Sequence, residues 1–138
     1  MTASRPRITG AGRVLVAVYG VLAIAATGRS TFQIIDRFDE APLAFTLSAV
    51  AGVVYIVATL ALALGWRRLA LATICFELAG VLIVGTLSLI FPDVFDPAPD
   101  SRQATVWSAY GLGYLLVPLV VPVIGLLYLR RRPADPEA

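Results

Sequence analysis

The sequence predicts an all-α fold: a four-transmembrane-helix bundle, with two tandem helical hairpins as a candidate internal arrangement. Three observations predict it. The 138-residue chain is 59% hydrophobic and 14% charged, with mean hydropathy +0.84, whereas soluble domains are about 45–50% apolar and about 25% charged. Four apolar stretches, at 13–32, 43–64, 69–91 and 107–129, each reach the roughly 20 residues that cross a bilayer as a helix. The arginines that punctuate them crowd onto alternate ends, as a multi-pass topology requires. The length is that of a single domain, 1–138.

The first span begins after Arg5, Arg7 and Arg13, where no acid intervenes. A basic start, an apolar run and Ala23-Ile24-Ala25 also fit a cleaved leader. Apolar character resumes at 32–35 and three more spans follow, which favours an uncleaved first helix. The chain then turns polar from Arg29 to Pro42. Residues 43–64 carry no charge, and Ala44, Ser48 and Gly52 recur every fourth position, a small-residue face that lets another helix approach closely. Gly65-Trp66-Arg67-Arg68 is a tight turn, with Trp66 suited to the headgroup level. The third span, 69–91, contains one ionisable group besides its cysteine, Glu77. A loop rich in Pro and Asp leads to the fourth span, where Pro118 and Pro122 follow Gly111 and Gly113 and predict a bend. Arg130, Arg131 and Arg132 stop that span, and 133–138 reads as a disordered tail.

Eight arginines fall on the side holding both termini and the 65–68 turn, and three (Arg29, Arg37, Arg102) on the other. The positive-inside rule therefore predicts a plasma-membrane protein with both termini cytoplasmic and the two longer loops outside.

Those two loops share a pattern. Residues 36–42 and 93–99 both read D-x-F-D-x-A-P at an offset of 57, and Gly28 matches Gly85 at the same offset. Tandem hairpins related by an axis along the membrane normal would produce this. Mechanically, Phe38 and Phe95 anchor at the interface, Asp39 caps the second helix and Pro42 occupies its first turn. Asp100 or Ser101 would cap the fourth. The rival reading makes Arg29, Asp36, Asp39, Asp93 and Asp96 an outer-face polar cluster that holds a ligand or cation, although nothing here resembles a calcium loop.

Composition excludes several chemistries. With no His and a single cysteine, one chain lacks a His-based triad and a multi-Cys zinc site. Cys75, inside an apolar span, reads as a small packing residue. The basic residues, all arginine, do not interleave with aromatics as a nucleic-acid surface requires. Trp66, Trp107, Tyr110 and Tyr128 lie near predicted span ends and read as belt residues, not as a cofactor box. No catalytic residue, metal or cofactor is expected.

Glu77 is the best candidate site. It lies nine residues from Arg68, about 13 Å inside the boundary at 1.5 Å per residue. Thr59, Pro122 and the Pro118 carbonyl that Pro122 frees lie near that depth, with Tyr55 a turn further out and Tyr19 slightly nearer the cytoplasm. Glu77 is most simply satisfied as a protonated acid donating to a carbonyl. Arg29 lies near the outer interface and is a poor partner. Two roles follow: an intramembrane proton- or cation-binding carboxylate on a transport path, or a hydrogen bond between helices.

The strings at 76–89 (FELAGVLIVGTLSL), 104–108 (ATVWS), 111–114 (G-x-G-Y), 118–122 (PLVVP) and 39–44 (DEAPLA) resemble a group of small four-helix integral membrane proteins from high-GC actinobacteria. That family is of uncharacterised function, so the resemblance implies topology and setting only. Small multidrug-resistance transporters are similar in size and span number, but their essential carboxylate lies in the first span. The expected function is association: a homo-oligomer, or an accessory subunit bound to another membrane protein of an envelope complex, in contact with the lipid bilayer. The alternative is a small proton- or cation-coupled transporter or channel using Glu77.

Overall fold

The computed structural model describes residues 10–95, 105 and 107–131, all helix or turn with no strand among them. Helix α1 spans Gly10–Arg37 and continues through Arg29 as the resumed apolar pattern implies. A single tight turn, Phe38–Glu40, leads into α2, Pro42–Leu64, with Pro42 in its first turn. Pro is tolerated there because the first helical N–H groups have no intrahelical acceptor anyway. The helix α2 ends at Gly65, whose φ of 73° a residue with a Cβ adopts only at a cost. Gly65 N–H and Trp66 N–H both close on the Ala61 carbonyl. Helix α3 spans Arg67–Ile90, a short turn α4 spans Pro92–Phe95, and α5 spans Val117–Arg131.

The helices α1, α2 and α3 are long and apolar enough to cross a membrane. Their outward faces are also apolar: Ile24, Ile35, Leu60, Ile83 and Leu89 are all more than half exposed. Water would penalise such a surface and a bilayer does not. This is a small membrane protein of several passes. Arg67 and Arg68 open α3 at the end where the helix dipole disfavours cations.

Packing closes a ring: α1 on α2, α2 on α3, α3 on α5, and α5 on α1. The small-residue face of α2 is spent inside this ring. Ala44, Ser48 and Gly52 are buried, and a Cβ at Gly52 would lie 3.3–3.6 Å from Thr27 and the Ala26 backbone of α1. The predicted close approach is therefore intramolecular.

The fourth apolar stretch departs from expectation. A helix over 107–129, bent where the glycines and prolines fall, is predicted; instead a tight coil, Ser108–Tyr114, precedes the 15-residue α5. Ala109, Tyr110 and Gly111 have left-handed backbone, as do Leu115 and Leu116. Pro118 falls in the first turn of α5, and Pro122 lies inside it. The break thus precedes the prolines. The reason is tertiary: α3 offers the coil better partners than a helix would have. Ser88 Oγ accepts the Ala109 N–H at 2.9 Å, and Tyr110 Oη pairs with Thr86 Oγ1 at 2.9 Å. Irregular backbone is tolerated where neighbouring protein groups satisfy it in this way.

The two copies of the candidate repeat sit in different surroundings. In the first copy Gly28 meets nothing, whereas Gly85 is packed against Tyr110. Phe38 is exposed, whereas Phe95 is buried. Asp39 does not cap α2: its N-cap is Ala41, with no side-chain bond. The second copy beyond Phe95, the cap expected from Asp100 or Ser101, and the 133–138 tail lie outside the described residues.

Candidate functional site: a polar clasp around Glu77

Glu77 is 0% exposed, on the face of α3 that also buries Ile74 and Val81. The periodicity of α3 demands this: residues 70, 74, 77, 81, 84 and 85 form the inward stripe. Of the partners expected by depth, Tyr19 is the one that reaches it. Its hydroxyl donates to Glu77 Oε2 at 2.7 Å, across from α1. Glu77 Oε1 is buried with no hydrogen-bond partner.

Tyr55 packs beside this pair, its ring 6.3 Å from that of Tyr19 and tilted by 51°. Its hydroxyl accepts the Trp107 Nε1–H at 2.9 Å. Thr59, the other candidate on α2, donates instead to the Tyr55 carbonyl of its own helix at 2.6 Å. Pro118 and Pro122 are fully buried on α5. A Cβ at Gly125, one turn along, would lie 3.1 Å from Ile74 and 3.7 Å from the Tyr19 hydroxyl. Glu77, Tyr19, Tyr55 and Trp107 thus link α1, α2, α3 and the segment before α5 through two buried hydrogen bonds and one ring contact. Arg29 lies ten residues, about 15 Å, further along α1 than Tyr19. The depth count that made it a poor partner holds.

Trp107 corrects the belt reading. It is 2% exposed, with its ring on Gly80 of α3, where an added Cβ would lie 2.7 Å from it. Gly85 seats Tyr110 in the same way, at 2.5 Å from the ring and 2.8 Å from the backbone nitrogen. Sequence reasoning missed both glycine seats. The available signal was two glycines five apart in an otherwise bulky span, opposite two aromatics that each need a polar partner when buried.

The described members of the outer-face cluster are not gathered into a metal site. Among the described residues no group of three or more acids is disposed to hold an ion. Asp36, Asp39 and Asp93 are exposed, Arg29 is half-buried, and Asp96 lies outside the described residues. Arg37 and Glu40 make an exposed ion pair at 4.0 Å, worth about 0–1 kcal/mol at best. Cys75 is exposed on the outward face of α3, so it is not the interior packing residue expected.

Fold and clasp together define a class: a small helical multi-pass membrane protein with one enclosed intramembrane carboxylate. Comparison with protein-family models, with curated proteins and with solved structures finds no match to this chain.

Proposed function

We propose that the chain is a non-enzymatic plasma-membrane protein that acts by association, as a homo-oligomer or as an accessory subunit of an envelope membrane complex. It is kin to the small four-helix actinobacterial membrane proteins that its third and fourth spans resemble. In this reading residues 107–131 make the fourth crossing as a broken helix. The 15 residues of α5 reach about 22 Å alone, short of the roughly 30 Å hydrocarbon core. The preceding coil supplies the remainder.

One observation carries the association reading: where the chain spends its polar and its small residues. Glu77, Tyr19, Tyr55 and Trp107 are consumed within the bundle. The small residues Ala72, Cys75 and Ala79, by contrast, form an outward stripe along α3 at i, i+3 and i+7. Lipid gains nothing from such a stripe, whereas a second helix can approach closely along it.

Cys75 is the chain's sole cysteine and sits within that stripe, so the native protein carries its own probe. Mild oxidation in native membranes is expected to yield a disulfide-linked dimer, or a mixed disulfide with a partner, that Cys75→Ser abolishes. Monomers alone, both in that experiment and by native mass measurement, with nothing co-purifying, would overturn the reading.

The arginine asymmetry supports cytoplasmic termini. A cysteine introduced at Asp96, in a Cys75→Ser background, is expected to react with an impermeant reagent from outside intact cells. Reaction only after lysis would reverse the orientation.

A further inference from the structure

Three observations converge on Glu77 Oε1. First, the atom is buried and has no donor, while Oε2 accepts one hydrogen bond, from Tyr19. A carboxylate offers about four acceptor sites, and an enclosed charge is retained only when paired and well hydrogen-bonded. Second, among the described residues the titratable groups that pack around it from other helices are two tyrosines, Tyr19 from α1 and Tyr55 from α2. The facing residues of α5, from Pro118 through Gly125, include no titratable side chain.

Third, α5 brings an open acceptor to the same level. Gly85 faces Tyr110 and Ile74 faces Gly125, so α3 and the 110–125 segment run antiparallel. Interpolating between those two contacts sets Glu77 level with Val121 and Pro122. Pro122 has no N–H, so the Pro118 carbonyl lacks its helical donor, and both prolines are fully buried. An acceptor with no donor and a carbonyl stripped of its helical N–H thus lie near one depth of the core. A single hydrogen between them satisfies both.

We propose that Glu77 is a resident proton-binding site. Its carboxyl holds a hydrogen on Oε1 at neutral pH, donates it to the Pro118 carbonyl that Pro122 leaves open, and accepts the Tyr19 hydroxyl on Oε2. One neutral side chain on α3 then bridges α1 and α5. The inference goes beyond the association reading and does not depend on it, because a monomer would need the bridge equally.

Infrared spectroscopy in lipid nanodiscs at neutral pH tests it. The chain has three glutamates, so Glu40→Gln with Glu137→Gln leaves Glu77 as the only one. Carboxyl-¹³C glutamate incorporated into that variant is expected to shift a protonated-carboxyl C=O band to lower frequency. Tyr19→Phe should raise the frequency of the same band by removing a donor to the carbonyl oxygen. Pro122→Ala supplies the Pro118 carbonyl with a helical N–H and should also move the band. A label that appears only in the carboxylate stretches would overturn the proposal. A labelled band indifferent to Pro122→Ala would overturn the bridge to α5.

Discussion

Trp107→Ala is expected to destabilise the bundle by about 3 kcal/mol, the lower end of the range of roughly 3–5 kcal/mol for truncating a buried Trp. The lower end applies because lipid tails are as apolar as the core, so little transfer free energy is lost. What is lost is packing on Gly80 and the hydrogen bond from Nε1 to Tyr55. Helix propensity and sterics make opposite predictions for Gly80→Ala, which separates them. Propensity alone would stabilise α3 by about 1 kcal/mol. The added Cβ, 2.7 Å from a ring held at its far end by Tyr55, should instead cost about 1–3 kcal/mol. Gly85→Ala should be at least as harmful, because there the obstacle is the Tyr110 backbone nitrogen at 2.8 Å. Equilibrium unfolding in mixed micelles reads all three. In a Trp66→Phe background Trp107 is the only indole, so Gly80→Ala should also shift its emission to the red. A stabilised Gly80→Ala with unchanged emission would mean that the seat is not occupied as described.

Tyr19→Phe is the second large effect. The substitution keeps the ring in its place against Tyr55 and removes one donor, leaving Glu77 without the bond to Oε2. Orphaning a buried polar group costs about 1–3 kcal/mol. Glu77→Leu leaves the Tyr19 hydroxyl facing an apolar side chain and should cost a similar amount. The double variant should be milder than the sum, because replacing both partners by apolar groups of similar shape removes the penalty along with the bond. A coupling of about 1 kcal/mol or more in that cycle is expected for groups in direct contact. Strict additivity would show that Tyr19 and Glu77 do not depend on each other.

Much of this architecture was legible in the residues. Long uncharged stretches set the helices, because in hydrocarbon a chain must satisfy its own backbone and only a helix does so within one segment. Gly65 marked the end of α2 because a left-handed C-cap favours a residue without a Cβ. Glu77 stood out because a carboxylate in an apolar span needs a partner, and depth counting along 1.5 Å per residue put Tyr19 among five candidates.

The choice among those five belonged to the tertiary structure. Depth is a coordinate along the helix axis, whereas pairing also depends on which way each helix is rotated. Rotation aimed Tyr19 at Glu77, gave Tyr55 to Trp107 and turned Thr59 back onto its own carbonyl. The break at 109–116 was likewise illegible. Apolar length over 107–129 fits one bent helix, and glycine and proline mark a weak point without saying where the chain breaks; the partners that α3 presents to Ala109 and Tyr110 place the left-handed coil. The matching D-x-F-D-x-A-P strings promised two equivalent hairpins, but their surroundings differ: one ends beside open surface at Gly28, the other beside a packed aromatic at Gly85. By itself the sequence determined that this chain has long helices apolar enough for a membrane, that turns fall near residues 38–42 and 65–66, and that Glu77 is its singular residue. Only the tertiary structure decided what Glu77 touches, because hydrogen bonds between helices are made by faces, and faces are set by packing.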